Sequence, residues 1–293
     1  MDLHTLEQFL VVARLEHLSR AATELRVAQP SLSRTVARLE AELGTPLFDR
    51  CGRMRLNAAG RLFRDHVERA LGELNAGRRA VAEATCNGVG GVRLAAETFL
   101  TVTGPLTAFK RAHPDVDVEL HQMAATDMHR ALRAHEVDLC VASQPIPGAG
   151  LDSVHLHDEP VWLAVPPEHP LTSRASVRID ELRDEPFVIS RPGHWQRRLL
   201  DQLFAARNLS PRIVCEGDEP AATSMLVSAG MGLSLVPDVA RLADVSAPGS
   251  WLRVEDPGCV RTLTLHRAAG SRWPSAVRLM HTALTTWAWG GTS

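Results

Sequence analysis

Gln29-Pro30-Ser31-Leu32-Ser33-Arg34-Thr35-Val36-Ala37-Arg38-Leu39-Glu40-Ala41-Glu42-Leu43-Gly44 decides how the first part of this chain is read. Leu32, Val36, Leu39 and Leu43 recur at helical spacing within one narrow arc, so they face a core. Pro30, Arg34, Ala37 and Arg38 fall on the opposite arc, with Ser31 and Ser33 on its flanks. Pro30 suits the first helical position, where its fixed φ helps and its missing N–H costs nothing. Gly44 suits the left-handed residue that ends a helix. The outward face is therefore small and polar, with arginines at reach. Opened by Gln29, such a face fits the base edges and phosphates of a major groove. A helix needing only solvation would more often mix Glu and Lys there.

The flanking sequence builds a support for this helix. Leu6, Phe9, Leu10 and Ala13 make one apolar face of a preceding helix. A second helix is expected from Ser19 as N-cap through Leu25. Its paired Ala21 and Ala22 let a neighbour approach closely. Arg26-Val27-Ala28 is the short break before the third helix. Downstream, Arg50–Leu56 reads as a tight hairpin around Cys51-Gly52, crowded by Arg50, Arg53 and Arg55. An arginine-bearing wing suits an adjacent minor groove, whose negative potential favours cations. Residues 1–64 carry ten arginines against seven acidic residues, a net of +3 in a chain whose overall charge is −2. A mildly basic head thus precedes an acidic body.

From Ala58 to about Ala84 the pattern is again helical. Phe63, Val67, Ala70, Leu71, Leu74 and Val81 lie on one side, and Arg61, Arg64, Asp65, Glu68 and Glu73 on the other. A long helix with a narrow apolar stripe pairs well with a copy of itself. Asn87-Gly88-Val89-Gly90-Gly91 then breaks the chain. Beyond it, strands are expected at Val92–Ala96, Val116–Gln122, Val137–Ser143, Val161–Val165, Phe187–Ser190, Arg212–Glu216 and Leu233–Val236, with helices between. One of those helices is capped by Thr126. Repeated βα units argue for parallel sheets with helices on both faces. Ligands in such folds sit where strand C-ends meet helix N-termini.

Several function classes are disfavoured. No apolar run is long enough to span a bilayer, and the N-terminus lacks the pattern of a secretory signal. A cytoplasmic protein is expected. The five cysteines are odd in number and widely spaced, reading as reduced thiols without a zinc motif. A redox pair such as Cys140 with Cys215 has no local feature to lower a thiol pKa. No Gly-x-Gly-x-x-Gly, Walker loop or Gly-x-Ser-x-Gly elbow marks an enzyme. His155 and His157 share a strand face but lack a third ligand. No cofactor, metal or catalytic residue is therefore assigned.

The ordered string Leu6-Glu7-Gln8-Phe9, Ser19-Arg20-Ala21-Ala22, Gln29-Pro30-Ser31-Leu32-Ser33, Leu39-Glu40-Ala41-Glu42-Leu43-Gly44, Leu47-Phe48-Asp49-Arg50 and Ala59-Gly60 resembles the LysR-type transcriptional regulators. Ser228–Pro237 matches that family's entry into its last α/β half. The resemblance implies an α/β protein with an N-terminal winged helix-turn-helix (1–58) and a linker or dimerisation helix (59–88). It also implies a periplasmic-binding-protein-like effector domain (89–293) of two α/β subdomains, 89–161 with 266–293, and 162–265. Implied partners are double-stranded DNA with an interrupted palindromic operator, a small-molecule effector, further copies in a dimer or tetramer, and RNA polymerase. The DNA-binding residues expected are Gln29, Pro30, Ser31, Ser33, Arg34, Arg38, Arg50, Arg53 and Arg55. Around the effector, the candidates are Thr98, Thr101, Ser143, Gln144, Ser190, Arg191 and Thr223, near Trp195.

Three departures matter. Ala28 stands where the family has Ser or Thr, removing a hydroxyl that caps the recognition helix or touches phosphate. Asn57 replaces a Thr and is itself a good N-cap. Glu97 stands where the family has a small residue, in a segment shorter than the family's. A carboxylate there repels an anionic effector and favours a basic or neutral one.

Overall fold

The computed structural model describes residues 1–49, 54–85, 90–242, 249–270 and 273–290, without the side chains of 79, 80 and 82–85. The chain divides into two compact units, residues 1–85 with 133–136, and 86–132 with 137–293.

In the first unit, α1 (Leu3–Leu15), α2 (Leu18–Leu25) and α3 (Gln29–Leu43) precede a two-stranded antiparallel arm, β1 (Phe48–Asp49) on β2 (Arg55–Leu56). Helix α4 (Ala58–Thr85) follows. Asp2 caps α1 by accepting from the Thr5 N–H at 2.7 Å, which holds its carboxyl below the usual range. Helix α2 starts before the expected Ser19. Its cap is His17, whose Nδ1 accepts from the Arg20 N–H, while Ser19 lies inside the first turn. Arg26 takes the left-handed conformation (φ 54°) that turns the chain from α2 into α3, and the Val27 N–H closes on the Ala22 carbonyl at 3.0 Å.

The core of this unit confirms the helical wheel of α3: Leu32, Val36 and Leu39 are buried, with Leu43 packed at the edge. They meet Phe9, which is fully buried against Phe48 and Phe63 at ring-centroid distances of 5.8 and 5.3 Å. The stripe expected along α4 divides. Phe63, Val67 and Leu71 join this same core, whereas Leu74 and Val81 stay exposed, as does Leu62. One helix side cannot serve both jobs, and the end nearest the head is taken by its own domain.

In the second unit the strands and helices are β3 (Gly91–Ala96), α5 (Phe99–Ala112), β4 (Asp117–Gln122), α6 (Ala125–Arg133), β5 (Leu139–Ala142), β6 (Leu151–Val165) and β7 (Ser176–Val177). They continue as β8 (Pro186–Ile189), α7 (Trp195–Ala205), β9 (Arg212–Glu216), α8 (Pro220–Ser228), β10 (Ser234–Pro237), α9 (Asp238–Leu242), β11 (Ser250–Val254), β12 (Val260–Ala268) and α10 (Ser275–Thr286). Thr126 lies inside α6, one residue past its start, so it is not the cap expected.

The sheets are mixed rather than parallel. The main order is β4-β3-β5-β12-β6-β11-β7, with β10 also on β6. β3 is parallel to β4 and β5, as βα units require, but β12 runs antiparallel to β5 and β6. β10 and β11 are likewise antiparallel to β6. Strand β6 is far longer than the expected Val161–Val165. Its first part pairs with β12 and its last five residues lie between β10 and β11. It therefore runs from one half of the unit into the other. One core gathers Val92, Leu94, Phe109, Leu263 and Met280, the other Leu163, Phe187, Trp195, Phe204 and Leu235.

Candidate functional site

The N-terminus of α3 is open to solvent. Gln29, Pro30, Ser31, Arg34 and Arg38 are exposed and Ser33 is half-buried. Ala28 occupies the N-cap with no side-chain hydrogen bond, so the first N–H groups of this helix keep their donors free of a capping hydroxyl. Arg34 folds back to its own helix, its Nε donating to the Pro30 carbonyl at 3.3 Å. Arg55 is exposed on β2, while Arg50 and Arg53 lie outside the described residues.

Two carboxylates that the sequence did not single out fix this head. Glu40, on α3, accepts from the N–H groups of Leu47 and Phe48 at 2.8 and 3.2 Å. Glu16, left-handed at the end of α1, accepts from the Leu56 N–H at 3.0 Å. Each arm strand is thus pinned to a helix by a charge-assisted bond. Asn57 caps α4 through the Gly60 N–H at 2.8 Å, and its amide donates to the Pro46 carbonyl.

In the second unit, the turn after β3 and the turn after β5 come together. Glu97 is buried there. Its carboxylate accepts from the Ser143 N–H at 2.5 Å and from the Gln144 amide at 2.9 Å. Burial pushes its carboxyl pKa up, against the pull of those donors and of Arg261. Gln144 also donates to the Gly193 carbonyl at 2.8 Å, tying the loop after β5 to the loop before α7. Thr98 is the N-cap of α5, yet its hydroxyl makes no capping bond.

The remaining candidates have internal partners. Ser190 donates to Gln196 Oε1 at 2.9 Å, and Thr223 donates to the Glu219 carbonyl one turn back. Arg191 grips Asp218 with its N–H and guanidinium, and His194 stands 3.4 Å from the same carboxylate. Burial alone would raise the Asp218 pKa, but Arg191 holds it below the usual value. Thr101 is buried and accepts from Arg261 Nη2 at 3.2 Å.

Arg261 is the residue sequence reading missed. It sits on β12, fully buried, and donates to Glu159 on β6 while its guanidinium stacks 4.9 Å from the Trp195 ring centroid. Glu159 also accepts from the Val239 N–H at 3.1 Å. Burial pulls the arginine pKa down and Glu159 opposes it. The available signal was an arginine set between apolar strand positions, Val260 and Leu263.

A cavity of about 470 Å³ opens beside Ser143 and Gln144, bounded by Trp195, Arg198, Thr262 and His266. Ser153 pairs with His266 Nδ1 at 2.7 Å, and the buried Nε2 has no partner among the described residues. Burial lowers the His266 pKa, so the ring is neutral at pH 7.

His155 and His157 are not brought to a common ligand. A register shift lies beside them; His155 meets Asp158 at 3.1 Å, and His157 lines a different cavity. No group of three metal-binding side chains occurs among the described residues. Cys140 is buried and free, with its thiol pKa pushed up by burial, and Cys259 is pushed up to about 12. Neither is a reactive thiolate. Cys51 and Cys86 lie outside the described residues. No helix among the described residues is long and apolar enough to cross a membrane.

This combination defines a helix-turn-helix protein with an appended α/β ligand-binding unit, and the comparisons agree. The family model of the bacterial regulatory helix-turn-helix protein, lysR family, matches residues 3–61, and that of the LysR substrate binding domain matches 89–289. An uncharacterized HTH-type transcriptional regulator YybE of Bacillus subtilis is 33% identical over 267 residues, covering 90% of this chain and 91% of that one. The regulator AlsR of the same organism is 31% identical, covering 82% of each chain. A full-length OxyR variant from Pseudomonas aeruginosa has the same fold, with a TM-score of 0.66, 24% identity, and 98% and 96% of the two chains covered. The chain belongs to the LysR family and is a DNA-binding transcriptional regulator with a substrate-binding domain.

Proposed function

We propose that Gln29, Pro30, Ser31, Ser33, Arg34 and Arg38 enter the major groove, with Arg50, Arg53 and Arg55 on the wing reaching the neighbouring minor groove. The observation that carries this reading is the exposed, acid-free N-terminal face of α3. A solved relative, the full-length LysR-family regulator CbnR, is described in complex with its target DNA. The chain acts as a dimer or tetramer on an interrupted palindrome, without catalysing a reaction. The exposed Leu62, Leu74 and Val81 on α4 (residues 59–88 forming the linker) supply an apolar surface for that assembly. Arg34→Ala is expected to weaken operator binding about 10- to 100-fold at fixed salt, from loss of a base or phosphate contact. Its sedimentation mass should stay at no less than twice 32.0 kDa. Unchanged affinity would discard the assigned face, and a monomer would discard the assembly.

The effector is assigned to the cleft bounded by Ser143, Gln144 and Trp195, between α/β subdomains 89–161 with 266–293 and 162–265. Thr98, Ser190, Arg191 and Thr223 are assigned to its surroundings, whereas Thr101 lines a different cavity, with Arg261 and Leu263. Glu97 already takes the Ser143 N–H and the Gln144 amide, the donors an anion would use. The unpartnered His266 nitrogen and Thr262 remain. The effector is accordingly neutral or basic. Binding shifts the population of subdomain arrangements, and through the oligomer the spacing of recognition helices and the contact with RNA polymerase in the cytoplasm. A neutral or basic effector at 100 times its Kd should add about 2.7 kcal/mol of stability. A carboxylate ligand that protects better than its neutral amide would refute the charge assignment.

A further inference from the structure

Glu97 is 4% exposed, yet its carboxylate makes no ion pair among the described residues. Neutral donors hold it, the Ser143 N–H at the end of β5 and the Gln144 amide, and they replace the water that burial removes. The Glu97 backbone carbonyl in turn accepts from the Gln122 amide at 3.3 Å, at the end of β4. One residue thus ties together three neighbouring strand ends, those of β4, β3 and β5. The Gln144 nitrogen donates twice, to Glu97 Oε1 at 2.9 Å and to the Gly193 carbonyl at 2.8 Å. A side-chain NH2 has two hydrogens to give, and each finds an acceptor here. Turning the amide over would set its oxygen against two other oxygens, so its orientation is forced. Glu97 and Gln144 lie in residues 89–161, whereas Gly193 lies between β8 and α7, in 162–265. The loop that carries Gly193 is fixed within its own half, because Arg191 and His194 hold Asp218.

We infer that Glu97 closes the cleft from within: it is a tethered acid that, through Gln144, clasps the two subdomains when no ligand is bound. The inference rests on placing the effector in this cleft. Ser143 and Gln144 line it, and Trp195, two residues after Gly193, is another of its walls. A small side chain at position 97 would leave the Ser143 N–H and the Gln144 amide as an empty cradle at the ends of parallel strands. A free carboxylate would then have to be captured before Gln144 was held toward Gly193. Glu97 supplies that carboxylate as part of the chain, without the entropy cost of binding one. The arrangement that an acidic ligand would stabilise is therefore the resting arrangement, and small acids in solution do not change it. Glu97 acts as a positioning residue: it orients Gln144, and Gln144 reaches across.

Hydrogen exchange of the full-length protein, with and without acetate, tests the clasp. Glu97→Ala removes one methylene and the carboxylate, which acetate matches in size, and chloride at equal ionic strength is the control. Exchange at residues 190–196 is expected to quicken about ten-fold in the variant, near the worth of one hydrogen bond to a charged group. Acetate should restore the wild-type rate, chloride should not, and the wild type should respond to neither. Faster exchange confined to 97–101 and 141–145 would show a local role only and overturn the clasp. Failure of acetate to restore 190–196 would overturn it as well. Should Glu97→Ala fail to fold, Gln144→Ala keeps the Ser143 bond and cuts the link to Gly193. It should quicken 190–196 with no rescue by acetate, and an unchanged rate there would again overturn the clasp. Operator titration of Glu97→Ala under the same conditions separates the two readings. Operator affinity that follows acetate supports the clasp and the cleft together. Exchange restored by acetate with operator affinity unmoved upholds the clasp and removes the effector from this cleft.

Discussion

Glu159→Ala is expected to destabilise the second unit by about 3–5 kcal/mol, the largest effect of any single side-chain truncation considered for this protein. The reason lies in what is left behind. Arg261 is wholly buried and Glu159 is its only acidic hydrogen-bond partner among the described residues. With Glu159 gone, a guanidinium stays charged in an apolar surround with Thr101 as its remaining side-chain acceptor. Removing the pair together is a different matter. Glu159→Leu with Arg261→Met replaces two costly desolvated charges by apolar volume and should recover most of the loss. Chemical denaturation of the two single variants and the double gives the coupling directly. A loss below about 1 kcal/mol in Glu159→Ala, or a double variant no better than the single, would show that the pair is not the organising contact described.

Gly60→Ala is expected to cost about 3 kcal/mol or more and to abolish operator binding at ordinary protein concentrations. A Cβ at this position would lie 2.1 Å from the Leu47 carbonyl oxygen and 2.6 Å from Leu56 Cδ2. The Leu47 contact is with backbone, which no rotamer change can relieve, so α4 would have to lift away from the arm. The same change at Gly77, later in α4, has nothing within 4 Å and should stabilise the helix by about 0.5–1 kcal/mol. Circular dichroism melts and an operator titration of both variants make the comparison. Equal melting temperatures would remove the steric argument.

The head was legible because helical periodicity and the order of its motifs both point the same way. Leu32, Val36 and Leu39 face inward and Gln29, Pro30, Ser31, Arg34 and Arg38 outward as the wheel dictates. The errors there came from treating cap residues by type: His17 caps α2 because its ring nitrogen reaches the Arg20 N–H, although Ser19 is the commoner cap. In the α/β part, β11 and β12 were not anticipated, and β6 was read in two pieces, a strand face at His155 and His157 and an apolar strand at Val161–Val165, not as one strand. Its first part alternates with exposed polar residues such as Asp152 and Ser153, which hides a strand that pairs on its edges. Long-range contacts explain the rest. Glu97 was read as a repeller of anions, but only the fold brings it to Ser143 and Gln144, so that it takes the place an anion would fill. Arg261 and Glu159 are 102 residues apart, and no local pattern joins them.

The two carboxylates that pin the arm have a consequence for the shape of the operator. Glu40 ties β1 to the recognition helix and Glu16 ties β2 to α1, so helix and arm travel as one rigid piece. On the proposed contacts, the distance along the duplex between a major-groove contact of α3 and a minor-groove contact of the arm is then set by the protein, not by the DNA. Within one half-site the two contacted base steps keep a constant phase, and inserting a base pair between them rotates one out of reach. On the proposed contacts, variation among binding sites is expected in the spacer between half-sites.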